Sequence, residues 1–334
     1  MADEIVKRFP GIGCGYIEKN GTAKYAFHGV ADRESHSQVD EHTIFPACSI
    51  SKFITAICIM KLSEQGVIEI DQPANSYLSR WKLRDLNGDE SNASTRHILE
   101  HTSGIVDGED GFYGHRLTDQ AIGLVEILEG STTYNNLPAL VRQSPGTVFE
   151  YSDAGFCVLQ LLLEEVSEKE FADLAEELVF AVLGLKDIFF GTREKIQLFS
   201  RKGNLATGYK GDNSPIEGKY PINPDLAASG LWSSPAELMV IARDFMDSFN
   251  GRGRILGQES VREMMKPVEN FPWVGLGLFK YGEDTIVSKG WGENGQCMLK
   301  INCKDSSAAV VMTNKDPEVP QEESGVEEML FIKS

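Results

Sequence analysis

Phe45-Pro46-Ala47-Cys48-Ser49-Ile50-Ser51-Lys52, followed by the apolar run from Phe53 to Met60, is the stretch on which the reading of this chain turns. It places a serine three residues before a lysine, and residues three apart on a helix share a face. A serine hydroxyl is a weak nucleophile at its own pKa and needs a neighbouring base. Lys52 at that spacing can take the Ser49 proton, which is the core of acyl transfer without a histidine base. Spacing alone is not specific, because Ser79-Arg80-Trp81-Lys82 matches it too. The surroundings separate the two. Behind Ser49, Phe53, Ile54, Ile57, Cys58 and Leu62 recur at helical spacing, and Gly66 supplies a stop. A buried helix would hold Ser49 and Lys52 rigidly at its start. Ser79 is instead crowded by the charges of Arg80, Lys82, Arg84 and Asp85.

At 334 residues and 41% hydrophobic, the chain has enough apolar surface for a large core in one or two domains. Its formal net charge is -18. Nucleic acids and anionic membranes both require a basic face, so neither is an expected partner. The expected partner is a small-molecule or peptide substrate. The opening Met1 to Arg8 is charged, and no apolar run is long enough to span a bilayer, so a cytoplasmic location is expected. Cys14, Cys48, Cys58, Cys157, Cys297 and Cys303 form no Cys-x-x-Cys pair and most have apolar neighbours. They read as core thiols in a reducing compartment. Cys48, next to the proposed nucleophile, would make the site sensitive to thiol reagents. The six histidines show no His-Glu-x-x-His spacing, so no metal is expected, and no cofactor motif is present. Gly11-Ile12-Gly13-Cys14-Gly15 lacks phosphate-loop spacing, and no Gly-x-Ser-x-Gly elbow occurs.

The order of elements indicates an α/β fold. Residues 13–18 and 23–30 read as strands joined by a turn at Lys19-Asn20-Gly21. The Ser49 helix follows. Residues 71–221 read as mostly helical with loops, including helices over 137–142 and 154–167. The second carries Phe156, Val158, Leu159, Leu162, Leu163 and Val166 on one face. Residues 235–249 form a helix opened by Ser233-Ser234 with Pro235 in the first turn. Strands return over 274–280, 285–289, 296–302 and 308–313. Strands at both ends with helices between imply one antiparallel sheet built from both ends and flanked by helices. The expected organisation is one catalytic domain, with a sheet lobe over about 1–70 and 222–334 and a helical lobe over about 71–221.

A second polar group should face Ser49 from the helical lobe. Tyr134-Asn135-Asn136 is the literal Tyr-x-Asn, but Tyr151-Ser152-Asp153 has the better setting. A turn at Pro145-Gly146-Thr147 precedes it and a helix follows at once, which lets a phenol point into a cleft. Tyrosine donates and accepts through one oxygen, which suits a proton shuttle to a leaving group.

These pieces together resemble the beta-lactamase-related serine hydrolases: class C beta-lactamases, D-alanyl-D-alanine carboxypeptidases, D-amino-acid peptidases and amidases, and related esterases. The resemblance runs from Thr43-Ile44-Phe45 and Ser49-Ile50-Ser51-Lys52 through Gly66-Val67-Ile68 and Asp71-Gln72-Pro73. It continues through Ile98-Leu99-Glu100-His101-Thr102-Ser103-Gly104, Phe149-Glu150-Tyr151-Ser152-Asp153, Ala228-Ser229-Gly230-Leu231-Trp232 and Gly275-Leu276-Gly277. It implies a beta-lactamase/transpeptidase-like fold, with Ser49 acylated, Lys52 as its proton partner and Tyr151 as acid/base with Lys52. Asp153 stands where the family often has asparagine, and a carboxylate there would hold Lys52 protonated. The family's third motif, Lys-Thr-Gly or His-x-Gly, is altered, since no histidine follows His115. Val287-Ser288-Lys289-Gly290-Trp291-Gly292 is the nearest match, so Ser288, Lys289, Gly290 and Trp291 join Asp153 as substrate-binding candidates. Either Lys289 or Trp291 would take the cationic place. Backbone near Trp291 and Gly292, with the Ser49 amide, would form an oxyanion hole. The implied activity is amide or ester hydrolysis by a peptidase, amidase or esterase. The alternatives are a class C-like beta-lactamase and an inactive fold kept for binding or scaffolding.

Overall fold

β-Branched and aromatic residues near both ends of the sequence supply the strands of one sheet. The computed structural model describes residues 5–19 and 21–330. The N-terminal strands are β1 (Gly11–Ile17), β2 (Ala23–Asp32), β3 (Ser37–Gln38) and β4 (Phe45–Cys48). Short strands follow: β5 (Arg84–Asp85), β6 (Leu140–Val141), β7 (Ile188–Phe190) and β8 (Leu231–Ser233). The C-terminal set is β9 (Val274–Gly275), β10 (Leu278–Lys280), β11 (Thr285–Gly292), β12 (Gly295–Asn302) and β13 (Ser307–Thr313). Eight of them form an antiparallel sheet in the order β3-β2-β1-β13-β12-β11-β10-β9. The seam between the two ends of the chain is the β1–β13 pairing, in which Ile12 faces Thr313 and Ile17 faces Ala308.

Alternation along these strands buries both faces. Val310, Met312, Ile286 and Leu299 enter the main core, while Val311, Met298, Val287 and Cys14 pack with Ile5, Phe9, Val326 and Met329 on the other side. Four helices position the site: α1 (Ser51–Glu64), α2 (Asp153–Ser167), α3 (Leu226–Ser229) and α4 (Pro235–Phe249). Every residue of α1 from Ser51 to Met60 is buried, so over these residues it is a central helix, and it reaches solvent only in its last turn, at Lys61, Ser63 and Glu64. Phe53 meets Phe245 of α4 edge-on at 5.2 Å. The α4 start follows from its sequence: Ser234 accepts from the Glu237 N–H, and Pro235 occupies the first turn.

Some expectations need correction. Residues 137–142 are not helical, because Leu140–Val141 pairs in parallel with β5. That run is too short for its period to tell strand from helix, and Pro138 removes a helical donor. Outside α2, the middle of the chain holds short helices such as Thr95–Leu99 and Leu124–Leu128, with Arg193–Lys202 longer, among extensive loops. The strand expected over 274–280 splits into the β9–β10 hairpin. At its turn Gly277 has φ +65°, and a Cβ there would lie 2.5 Å from Ala56 Cβ and 2.9 Å from the Lys52 carbonyl. Only glycine lets the hairpin press so closely on α1. Asn20 of the expected 19–21 turn, and residues 1–4 of the charged opening, lie outside the described residues. Among the described residues no helix is long and apolar enough to cross a membrane.

Candidate active site

Ser49 sits in a turn between β4 and α1, which begins two residues later than the serine. Cys48, just before it, has φ +47°, a left-handed conformation uncommon for a non-glycine residue. Ser51 fixes this turn: its hydroxyl donates to the Cys48 carbonyl (2.5 Å) and accepts from the Leu231 N–H of β8 (2.9 Å). The Ser49 N–H makes no backbone hydrogen bond among the described residues. Lys52, in the first turn of α1, donates from Nζ to Ser49 Oγ at 3.2 Å, to Asp153 Oδ1 at 2.5 Å and to the Ala228 carbonyl at 2.9 Å. Its side chain is 4% exposed.

Tyr151 lies within electrostatic reach of both Lys52 and Ser49, and Lys52 Nζ lies 4.8 Å from the Tyr151 ring centroid. Ser49, Lys52, Tyr151 and Asp153 therefore converge. Burial works to discharge Lys52. The Asp153 charge and the hydrogen bond that Lys52 donates to Asp153 outweigh it, so the ammonium pKa is raised above its usual value. Burial also raises the Tyr151 phenol, against the pull of Lys52. Both groups carry their protons at neutral pH.

The third motif is only partly brought in. Lys289 forms an ion pair with Glu322. Of the two registers, the one with Trp291 has its residue among those lining the cleft beside Ser49. Ser288 is buried. Trp291 borders the cleft beside Ser49, together with Gly292, Glu293 and Asn294, and its indole N–H donates to Asp316 at 2.8 Å. Gly290 makes the close approach possible. A Cβ there would sit 2.4 Å from both the Ala47 carbonyl oxygen and Cys297 Sγ, so any other residue would push β11 off the nucleophile turn.

Several supporting residues gave no clear signal in the sequence. Asp107 accepts from the Ser152 hydroxyl (2.7 Å) and from the Asp153 and Ala154 N–H groups (2.5 and 3.2 Å). It thereby clamps the turn that aims Tyr151 and Asp153. Burial and the charge of Asp153 push its pKa up to about 6. His101 stacks on Tyr151 with centroids 4.4 Å apart. Burial and the Lys52 charge lower its pKa well below the usual value, so the ring is neutral. Its Nδ1 accepts from the Ser152 N–H at 3.2 Å, which assigns the remaining proton to Nε2. Tyr134, the competing tyrosine, donates to Asp225 Oδ1 at 2.6 Å and is buried away from the serine network. Asp225 is fully buried with Oδ2 unpartnered, and burial and Asp153 push its pKa up to about 8. Arg116 grips Glu293 at the β11–β12 tip through two bonds of 2.6 and 2.7 Å. The alternating pattern marks strands and helices but carries no record of such loop-to-loop pairings. All six cysteines are free and buried. Among the described residues no group of three or more metal-ligating side chains is present.

The chain resembles known proteins along its length. Esterase EstB of Burkholderia gladioli is 28% identical over 170 residues, covering 50% of this chain and 43% of that protein. The chain spans about half the length of the curated relatives it matches (43% and 57% for two of them). The octameric penicillin-binding protein homologue from Pyrococcus abyssi superposes with a TM-score of 0.79 at 20% identity, covering 99% of this chain and 75% of that one. D-amino acid amidase from Ochrobactrum anthropi SV3, complexed with L-phenylalanine amide, superposes with a TM-score of 0.76 at 22% identity, covering 98% and 93%. These likenesses establish the beta-lactamase/transpeptidase-like fold. The family model described as Beta-lactamase matches residues 1–331; the chain belongs to the Beta-lactamase family.

Proposed function

We propose that this chain is a serine hydrolase that cleaves an amide or ester through an acyl-enzyme on Ser49. The observation that carries the reading is the hydrogen bond from the Lys52 ammonium to the Ser49 hydroxyl, with the Tyr151 ring 4.8 Å from the same Lys52 Nζ. Ser49 Oγ attacks the substrate carbonyl carbon. Its proton passes to Lys52 Nζ while Lys52 hands a proton across the 2.5 Å bond to Asp153. Without that second transfer Lys52, held as an ammonium, has no room for the serine proton. The Ser49 N–H and the β11 backbone at Trp291 stabilise the oxyanion, a type of contact worth about 2.7–4 kcal/mol per donor. Tyr151 protonates the departing nitrogen or oxygen and recovers its proton from Lys52. Water then enters by the reverse route and frees Ser49.

The names of the relatives, an esterase and a D-amino acid amidase, support ester and amide bonds as the target. The six buried free thiols support work in a reducing compartment such as the cytoplasm. The test is release of p-nitrophenol from p-nitrophenyl acetate and of p-nitroaniline from D-alanine p-nitroanilide. Turnover by wild type that falls at least about 10⁴-fold in Ser49→Ala supports the reading. Folded wild type that turns over neither substrate would move the assignment to a binding or scaffold protein.

A further inference from the structure

The enclosed part of the catalytic cleft is small. It encloses about 40 Å³ between Ser49, Tyr113, Asn223 and the β11–β12 tip, and a cavity needs ~10–15 Å³ by this kind of measure to hold one water. The chain flanking a scissile bond must therefore leave the cleft. A groove of about 530 Å³ adjoins it, and Tyr113 lines both. Tyr113 is 63% exposed and stands between Phe112 at φ +69° and Gly114 at φ +80°. The Arg116–Glu293 pair holds the segment it stands on against the hairpin tip.

β11 gives the cleft a direction. Phe279, 6.4 Å from the Tyr151 ring, pairs with Val287. Gly290 abuts the nucleophile turn. Trp291 and Glu293 lie beyond it, on the Tyr113 side. At ~3.3 Å per residue, Val287 and Trp291 are ~13 Å apart along the strand. In the proposed reaction the leaving group departs toward Tyr151, so the acyl chain left on Ser49 runs the other way, past Tyr113. The groove's lining is polar and includes the carboxylates of Asp119 and Glu126, with Thr132 and Thr133 on its wall. Burial lowers the pKa of His115. Among the described residues no lysine or arginine lines either the groove or the cleft; Arg193 reaches the Asp119 carbonyl from outside the groove.

We propose that the groove beyond Tyr113 is the acyl-chain subsite, built for an extended polar chain that is uncharged or cationic, such as a short peptide, and unsuited to an anionic one. This rests on the serine hydrolase reading, and the test separates the two. Four p-nitrophenyl esters are compared: acetate, N-acetyl-triglycine, triglycine with a free amine, and N-succinyl-triglycine. The expected kcat/KM for the neutral and cationic triglycine esters exceeds that for acetate by about tenfold or more, with the succinyl ester below both. Thr133→Trp or Gln120→Trp, each filling the groove from an exposed position, is expected to erase the ratio of long to short ester. Equal kcat/KM for acetate and triglycine esters in wild type, a length advantage that survives both tryptophans in folded protein, or a preference for the succinyl ester would overturn the subsite. Calorimetric binding of N-acetyl-triglycine amide to Ser49→Ala, with and without Thr133→Trp, reads the groove without chemistry. Binding that Thr133→Trp abolishes, in a protein that hydrolyses no ester, would keep the subsite and remove the hydrolase. Ester turnover with no peptide binding would do the reverse.

Discussion

Asp153 decides where the serine proton ends. Lys52 is held charged by that carboxylate and by its own hydrogen bonds, so in the proposed relay the accepting unit at neutral pH is the Lys52–Asp153 pair. Such coupled groups titrate as a pair. The acid limb of the pH–rate profile reports loss of that accepting unit. With Asp153→Asn the base becomes Lys52 alone, and the limb should move toward alkaline pH, with kcat at pH 7 down by about 10²-fold or more. A limb that moves toward acid would show that Lys52 works alone and Asp153 only restrains it. Asp107 gives a second titration. Its folded pKa of about 6 lies above the ordinary carboxylate value of 3.8, so the folded chain binds this proton more tightly than the unfolded one. The contribution is present below about 4 and is lost as pH rises through about 6. Thermal melts should therefore show a smaller drop in Tm between pH 4.5 and 7 for Asp107→Asn than for wild type. At this scale the nearness of Lys52 to Ser49 was legible from the three-residue spacing, although Ser49 lies in the turn before α1 and not on the helix, and the setting of Tyr151 was legible from its loop-to-helix junction. The choice between Lys289 and Trp291 was not legible. Strand alternation fixes which face a residue takes only once the register of β11 against β12 is known.

The elements that carry these residues explain why they meet. α1 and α2 hold Lys52 and Asp153, α3 brings the Ala228 carbonyl to Lys52, and Ser51 ties the nucleophile turn to β8. Helix periods made α1, α2 and α4 readable, whereas residues 137–142 were misread because a six-residue apolar run has no decisive period. The loops that close the site were silent in sequence, since the Arg116–Glu293 pair spans 177 residues. That pair is partly buried, with side chains 14% and 26% exposed. Glu293→Gln should cost about 1–2 kcal/mol in urea unfolding, below the range for a fully buried charged bond, with the hairpin tip loosened over Ser49. A variant as stable as wild type would show that the latch contributes nothing to the fold.

In the whole molecule, both ends of the chain share one sheet through β1 and β13, and the central helix lies in the core that this sheet helps to enclose. That much followed from strands at both ends of the sequence. The split of 274–280 into a hairpin did not, because it depends on how closely Gly277 approaches α1. Phe53 joins the nucleophile helix to α4 in the main core and is fully buried. Phe53→Ala should cost about 3–5 kcal/mol by chemical denaturation, and a loss under about 1 kcal/mol would contradict the packing described. The central claim concerns one atom, Ser49 Oγ. Its most direct test is the intact mass of the folded protein after incubation with a fluorophosphonate, wild type beside Ser49→Ala. The account predicts a single adduct in wild type, mapped to Ser49 and absent from the variant. An unmodified wild type, or an adduct that persists in Ser49→Ala, would contradict it.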